Sequence, residues 1–259
     1  MPEGNLWNEH EYQWDFTSHN FTLGNIWSTF LVNHTTDEQG RFHLRLDMPD
    51  VAWLSRIDHY DIIVFSTAYW YFRPSIYYAN NSIVGASGSS GVNFTDFGML
   101  PAMRMTWETV LKHVVYQYKG ISFLRTVTVP HFGEQAWNKG GKCNNTQPDA
   151  DPHMNASLPW MTNEMHKIQI KEFNKAIALL LEKEGEEGEK DASRLKLIDI
   201  TYSAFLRPDG HPGIYRNRDS NDAVSDCLHW CMPGPIDTWN EILLHTLKTC
   251  CNSSAELCG

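Results

Sequence analysis

Three short runs of apolar, largely β-branched residues, at 61–66, 120–127 and 195–200, constrain the fold of this chain most, because two long stretches of helical periodicity separate them. Ile62, Ile63, Val64 and Phe65 make the first run, Ile121, Phe123, Leu124 and Val127 the second, and Leu195, Leu197, Ile198 and Ile200 the third. Such short apolar runs are the pattern of buried parallel strands. Between them, residues 97–118 place Met105, Val110, Leu111 and Val114 on one helical face. Residues 163–183 do the same with Met165, Ile168, Phe173, Ile177, Leu180 and Leu181. Strands alternating with helices predict an α/β fold with a mainly parallel sheet, in which the loops after strand C-terminal ends carry the site. That order puts residues 66–70, His131 and the 207–211 loop on candidate site rims.

The 259 residues, 42% hydrophobic with 10 Trp, suffice for the core of one domain. A net charge of −10 argues against a nucleic-acid partner, since binding a polyanion draws on an excess of Lys and Arg. A neutral glycan makes no such demand. No stretch approaches the roughly 20 apolar residues of a membrane span, and Met1-Pro2-Glu3-Gly4 lacks the basic and apolar regions of a signal peptide. Asn-x-Ser/Thr sequons at Asn20, Asn33, Asn80, Asn93, Asn144, Asn155 and Asn252 nevertheless point to a glycosylated lumenal protein. Cys143, Cys227, Cys231, Cys250, Cys251 and Cys258 are even in number and crowded toward the end. In an oxidising compartment they are disulfide candidates of open connectivity. Residues 85–91 and 182–191 read as flexible or solvated connections, and the serine-rich first of these lacks a Gly-x-Ser-x-Gly elbow.

The chemistry centres on Asp226-Cys227-Leu228-His229-Trp230-Cys231. A carboxylate that orients an imidazole, three residues apart on one loop, is two thirds of a catalytic triad, with the serine supplied from elsewhere. The same spacing also suits a capping Asp beside a surface His. Cys227, His229 and Cys231 offer zinc-type donors, but not at the spacing of a Cys-x-x-Cys knuckle, and no metal is expected. Arg207, Asp209 and His211 either contact glycan or acyl donor, or form a loop salt bridge followed by a rigid His-Pro turn. Asp237 fits a helix N-terminus better than a catalytic role. Tyr69, Trp70, Tyr71, Phe72, Tyr77 and Tyr78 include rings suited to stacking on sugars, with half or more of them expected in the core.

The run from Asp226 to Cys231, continued by Pro233-Gly234-Pro235-Ile236-Asp237-Thr238-Trp239-Asn240-Glu241, resembles the C-terminal end of the plant trichome-birefringence-like proteins. These are cell-wall polysaccharide O-acetyltransferases of the GDS/SGNH esterase-like superfamily. The resemblance continues through Arg207-Pro208-Asp209-Gly210-His211-Pro212, Arg125-Thr126 with Pro130-His131-Phe132, Trp137-Asn138-Lys139-Gly140-Gly141-Lys142-Cys143, and the N-terminal segments His19 to Leu23 and Trp27 to Val32. The chain departs from several relatives at Ala68-Tyr69-Trp70, where they have Gly-His-Trp, and it lacks a cysteine they carry near residues 85–91. It contains no Gly-Asp-Ser, the block that carries the family's nucleophile.

The resemblance implies an SGNH-hydrolase-like three-layer α/β fold in which residues 1–259 form the C-terminal portion of a PC-esterase domain, its N-terminal part lying upstream. It implies acyl transfer in two steps, with His229 as base and acid, Asp226 as its orienting partner and an upstream serine forming an acetyl-enzyme. Trp70, His131, Arg207, Asp209 and His211 are then candidates for substrate contact. No cofactor is bound on this reading, but an acetyl donor is required, such as acetyl-CoA or an acetylated intermediate. The acceptor is a cell-wall polysaccharide; the Pro-Gly-Pro-Ile-Asp sequence and Phe72-Arg73-Pro74 with Tyr77-Tyr78 look closer to members acting on xyloglucan or mannan than on xylan. The full-length form is expected in the Golgi lumen as a type II membrane protein, its anchor in the N-terminal region. Alternatives are an acetylesterase, which passes the acetyl group to water, and an inactive glycan-binding remnant.

Overall fold

The structure is a computed structural model that describes residues 3–8, 11–88, 95–133, 135, 137–149, 157–182, 192–217 and 225–253. The chain divides into two compact units. The first comprises Met1–Ile63, Thr67–Ser122 and Glu172–Glu184, the second Val64–Ser66, Phe123–Lys171 and Gly185–Gly259.

The first unit holds two sheets. Strands β1 (Glu3–Asn8), β2 (Glu11–Phe16) and β3 (Phe21–Ile26) form an antiparallel meander. Strands β4 (Val32–Thr36), β5 (Phe42–Pro49), β7 (Ser75–Ala79) and β8 (Ser82–Ser87) form a second sheet in the order β4-β5-β7-β8. Its pairs run antiparallel, parallel and antiparallel. Helix α1 (Val51–Leu54) is a single turn capped by the Asp50 carboxylate, which accepts from the Ala52 amide. Helix α2 (Met99–Gln117) packs on β5. Its buried side chains, Ala102, Met103, Thr106, Trp107, Val110, Leu111, Val114 and Val115, recur every three to four residues, the spacing of one helical face. Phe30, Leu44, Leu46, Tyr71, Tyr77 and Trp107 are fully buried in this unit. Each such large side chain contributes about 2 kcal/mol of transfer free energy. The buried Tyr71 hydroxyl meets the Phe30 carbonyl at 3.0 Å and the Thr106 hydroxyl at 2.6 Å, so its polar end is satisfied.

The second unit is built on β9 (Ile121–Arg125) and β10 (Leu195–Ile198), in a sheet ordered β10-β9-β6 with β6 (Ile62–Phe65). Helices α3 (Trp160–Leu181), α4 (Thr201–Phe205) and α5 (Pro235–Ser253) follow along the chain, and the unit division falls within β6, β9 and α3. Beyond β9 and β10 the chain is tied by side chains. Thr126 Oγ1 donates to Asp199 Oδ1 and accepts from the Ile200 amide, while Thr201 Oγ1 donates to the Val127 carbonyl at 2.6 Å. The His166 ring meets both Asp199 oxygens at 3.0 Å.

Several expectations need correcting. The three strands marked in the sequence, β6, β9 and β10, do share one sheet, but two further sheets accompany it: the β1-β2-β3 meander is antiparallel and the β4-β5-β7-β8 sheet is mixed, because polar-faced strands joined by short turns return antiparallel. Strand β6 ends the order of its sheet, and Ile62 and Val64 are 39% and 42% exposed rather than buried. On α2, Met105 is only half-buried, and Met103 and Trp107 take the inward positions. On α3 the buried line is Thr162, Met165, Gln169, Glu172, Ala176 and Leu180, leaving Leu181 exposed. Residues 85–87 are strand rather than flexible loop. Gly85, at φ +150°, sits where a Cβ would lie 2.5 Å from Phe97 Cβ, and the Ser87 hydroxyl is 2.6 Å from that of Tyr77. Residues 89–91 and 183–191 lie outside the described residues. No described helix is long and apolar enough to cross a membrane.

Candidate active site

The loop 225–231 of the second unit is held at several points. Asp226 and Gly213 exchange both backbone hydrogen bonds at 2.9 Å, the Cys231 amide donates to the Gly210 carbonyl at 2.9 Å, and the His131 amide donates to the Cys227 carbonyl at 3.0 Å. Cys227 is joined to Cys143 by a disulfide, which leaves no thiolate there for zinc. Gly210 is required by close approach: a Cβ would lie 2.5 Å from Pro235 Cγ and 3.0 Å from two ring carbons of Trp230. The following helix α5 starts with the Asp237 carboxylate accepting from the Gly234 amide at 2.6 Å, the helix-terminus role expected of it.

Within this frame Asp226 Oδ1 and Oδ2 lie 3.0 and 2.9 Å from His229 Nδ1. Oδ1 also accepts from the amides of Leu228 at 3.2 Å and His229 at 3.0 Å. The Asp226 side chain is 9% exposed, that of His229 60%. A rigid, desolvated carboxylate behind an outward-facing ring is the geometry of an orienting acid and its general base. Burial pushes the Asp226 pKa up, but the Arg216 guanidinium, the two amides and the His229 ring outweigh it and hold the carboxyl at about 2.

Arg216 is the residue that sequence reasoning missed. It lies on the 3-10 turn Ile214–Asn217, just after the Gly213 that pairs with Asp226, and its Nη1 contacts both Asp226 Oδ2 and His229 Nδ1. Only its place in the turn beyond His211-Pro212-Gly213 signalled this.

The other expected site residues divide. His131 and His211 are hydrogen-bonded to each other, and His211 Nδ1 lies 2.7 Å from the His229 carbonyl oxygen. Trp230 packs its ring 4.1 Å from that of His211 and edge-on to His131 and Trp239. Arg207 grips Asp209 through Nε at 2.9 Å and Nη2 at 3.0 Å. This bidentate pair raises the Arg207 pKa and lowers that of Asp209. Trp70 belongs to the first unit, on the 3-10 turn Tyr69–Phe72. It is 37% exposed, edge-on to Trp27 and Phe42, with the Arg73 guanidinium 5.6 Å over its ring. Of the six residues of this aromatic cluster only Tyr71 and Tyr77 are core, fewer than the half or more expected, while Tyr69 and Tyr78 are half-buried and Trp70 and Phe72 exposed. Cys231, a disulfide candidate, is a half-buried free thiol among the described residues. The side chains of Cys250 and Cys251, and Cys258 altogether, lie outside them. Of the sequons, Asn20, Asn80 and Asn144 are exposed and Asn33 is half-buried. Asn93, Asn155 and the Asn252 side chain lie outside the described residues.

Residues 5–246 match the PC-Esterase family, a GDSL/SGNH-like acyl-esterase family found in Pmr5 and Cas1p. The chain belongs to the PC-esterase family. This PC-esterase chain is 35% identical over 246 residues to trichome birefringence-like protein 19 of Arabidopsis thaliana, covering 91% of the chain and 55% of the relative. It is 34% identical over 244 residues to xyloglucan O-acetyltransferase 4 of Populus trichocarpa, with 91% and 55% covered. It is 33% identical over 244 residues to xyloglucan O-acetyltransferase 1 of Arabidopsis thaliana, with 91% and 54% covered. The chain spans about half the length of these relatives.

Proposed function

We propose that this chain carries the acid–base half of a polysaccharide O-acetyltransferase of the Golgi lumen, with xyloglucan favoured as acceptor over mannan and xylan. The observation that carries the reading is the Asp226–His229 pair, a buried carboxylate on Nδ1 of an exposed ring. His229 takes the proton of a serine on a Gly-Asp-Ser block upstream of residue 1 as that serine attacks an acetyl donor, and it protonates the leaving group. It then takes the proton of a sugar hydroxyl as that oxygen attacks the acetyl-serine, and returns the proton to the serine oxygen as the acetyl ester bond to it breaks. Two of the three relatives described are named xyloglucan O-acetyltransferases, which supports the acceptor.

The test is acetyl transfer to xyloglucan, mannan and xylan oligosaccharides by the longer protein that includes the upstream block. The reading expects transfer to xyloglucan and a loss of roughly 1,000-fold or more in His229→Ala. Acetyl release to water without transfer would make the protein an esterase instead.

A second reading, a catalytically silent glycan-binding protein, is favoured by one contact. A guanidinium N–H directed at His229 Nδ1 and an Nδ1–H directed at Asp226 exclude each other. For His229 to act as base, Arg216 must leave the ring. Arg216→Gln therefore raises the transfer rate or leaves it intact if the site works, and leaves a silent protein silent.

A further inference from the structure

We infer that His131 and His211 share a third proton and that, holding it, they clamp the backbone that carries His229. His131 Nε2 lies 3.1 Å from the Phe205 carbonyl oxygen and His211 Nδ1 lies 2.7 Å from that of His229. A carbonyl oxygen only accepts, so both nitrogens must carry hydrogen. In a neutral imidazole that uses the single ring proton and leaves the other nitrogen a bare lone pair. Those other nitrogens, His131 Nδ1 and His211 Nε2, face each other at 2.7 Å. Two lone pairs at that distance repel, whereas one proton between them makes a charge-assisted N–H···N bond. The chain of bonds from Phe205 to His229 thus contains three N–H protons on two rings, one more than two neutral imidazoles supply.

The surroundings decide how many protons the pair keeps. From the elements packed around it, the carboxylates of Asp149 and Asp209 favour charge on His131, and those of Asp226 and Asp209 favour it on His211. Arg207, bound to Asp209, offsets part of this. The rings of Phe205 and Trp230 on either side bring no charge. Burial opposes protonation and lowers both pKa values, that of His211 to about 4, with His131 beside it adding to the fall. Geometry and burial disagree about the first proton and agree in refusing the second. Geometry governs the first, since two neutral rings leave one of the three contacts facing lone pair to lone pair. The two residues then titrate as one unit. The pair gains one proton on acidification and resists a second, because burial and the charge already held both oppose it. Without the proton one of the three bonds is lost, and loss at His211 releases the carbonyl of His229 itself. His131 and His211 are positioning residues in this scheme. Their bearing on acyl transfer rests on the proposed role of His229; the shared proton does not.

The experiment is NMR of the chain with 15N-labelled imidazoles, titrated from pH 8 to pH 4. The expected result is one common step of the His131 and His211 nitrogens that takes up a single proton, accompanied by a far-downfield N–H–N resonance. The amide nitrogen of Trp230, which shares a peptide group with the His229 carbonyl, moves with the same midpoint. In His131→Asn the side-chain amide donates to a neutral His211, so the Trp230 step disappears while His211 keeps its bond to His229. Two independent one-proton steps, rings that stay neutral down to pH 4, or a Trp230 step that persists in the variant would overturn the inference. Should the variant not fold, the wild-type nitrogen shifts decide alone. No arm uses acetyl transfer, so failure here is distinct from failure of the proposed function.

Discussion

Asp226 ties stability to pH. Its carboxyl is ionised in the fold down to about pH 2, against an ordinary value of 3.8 in the unfolded chain. A depressed carboxylate stabilises the fold fully above the unfolded pKa, and that contribution is lost as pH falls through the folded one. The difference corresponds to about 2 kcal/mol. Asp226→Asn is therefore expected to lower stability by about that amount at pH 6 and to match the wild type near pH 2. Urea unfolding at the two pH values checks this, and an equal deficit at both would remove the carboxylate from the account. Asp226 and His229 were legible in the sequence because every bond between them, including the amides of Leu228 and His229, closes within four residues. Arg216 and the His131–His211 contact were not, since they depend on how separate loops are brought together by Gly213, Asp226, Gly210 and Cys231.

At the scale of elements, the loop that carries the pair is held by a cross-link rather than by regular structure. The Cys143–Cys227 disulfide joins residues 84 apart in sequence. By loop-closure entropy a link of that length stabilises by up to about 4.6 kcal/mol, while measured values commonly fall nearer 2–4. Reduction is expected to lower the urea midpoint and to release the Asp226–Gly213 bridge first, seen as faster amide hydrogen exchange at Gly213 and Asp226 than at α2. Uniform loss of protection would mean that the disulfide stabilises the whole fold instead. The elements legible in the sequence were those with strong apolar periodicity: β9, β10, α2 and α3. Strands β4, β5, β7 and β8 were missed because they mix apolar and polar residues. A turn signal was nonetheless present: Asn80 and Asn81, both at positive φ, form the two-residue connection between β7 and β8. Asp37 marks the β4–β5 turn in the same way, its side chain accepting from the amides of Gln39 and Arg41.

For the whole molecule the decisive quantity is where the acetyl group can reside. An orienting carboxylate and a base accelerate acyl transfer only through a nucleophile, and triad members act as a unit, so the pair without its serine contributes little. Ser66, Ser87 and Ser225 do not substitute for it. Ser66 receives a hydrogen bond from Arg125, Ser87 is buried against Tyr77, and Ser225 is buried beside the Cys143–Cys227 disulfide. None is hydrogen-bonded to His229 among the described residues. Incubated with an acetyl donor and examined by intact-mass spectrometry, residues 1–259 are therefore expected to remain unmodified. A longer protein that carries the proposed Gly-Asp-Ser block is expected to gain one acetyl group, lost again when xyloglucan oligosaccharide is added. Its Asp226→Asn variant should accumulate that adduct roughly 1,000-fold or more slowly. An adduct on the 259-residue chain, mapped to one of its own serines, would relocate the nucleophile and overturn the division of labour proposed for this fold.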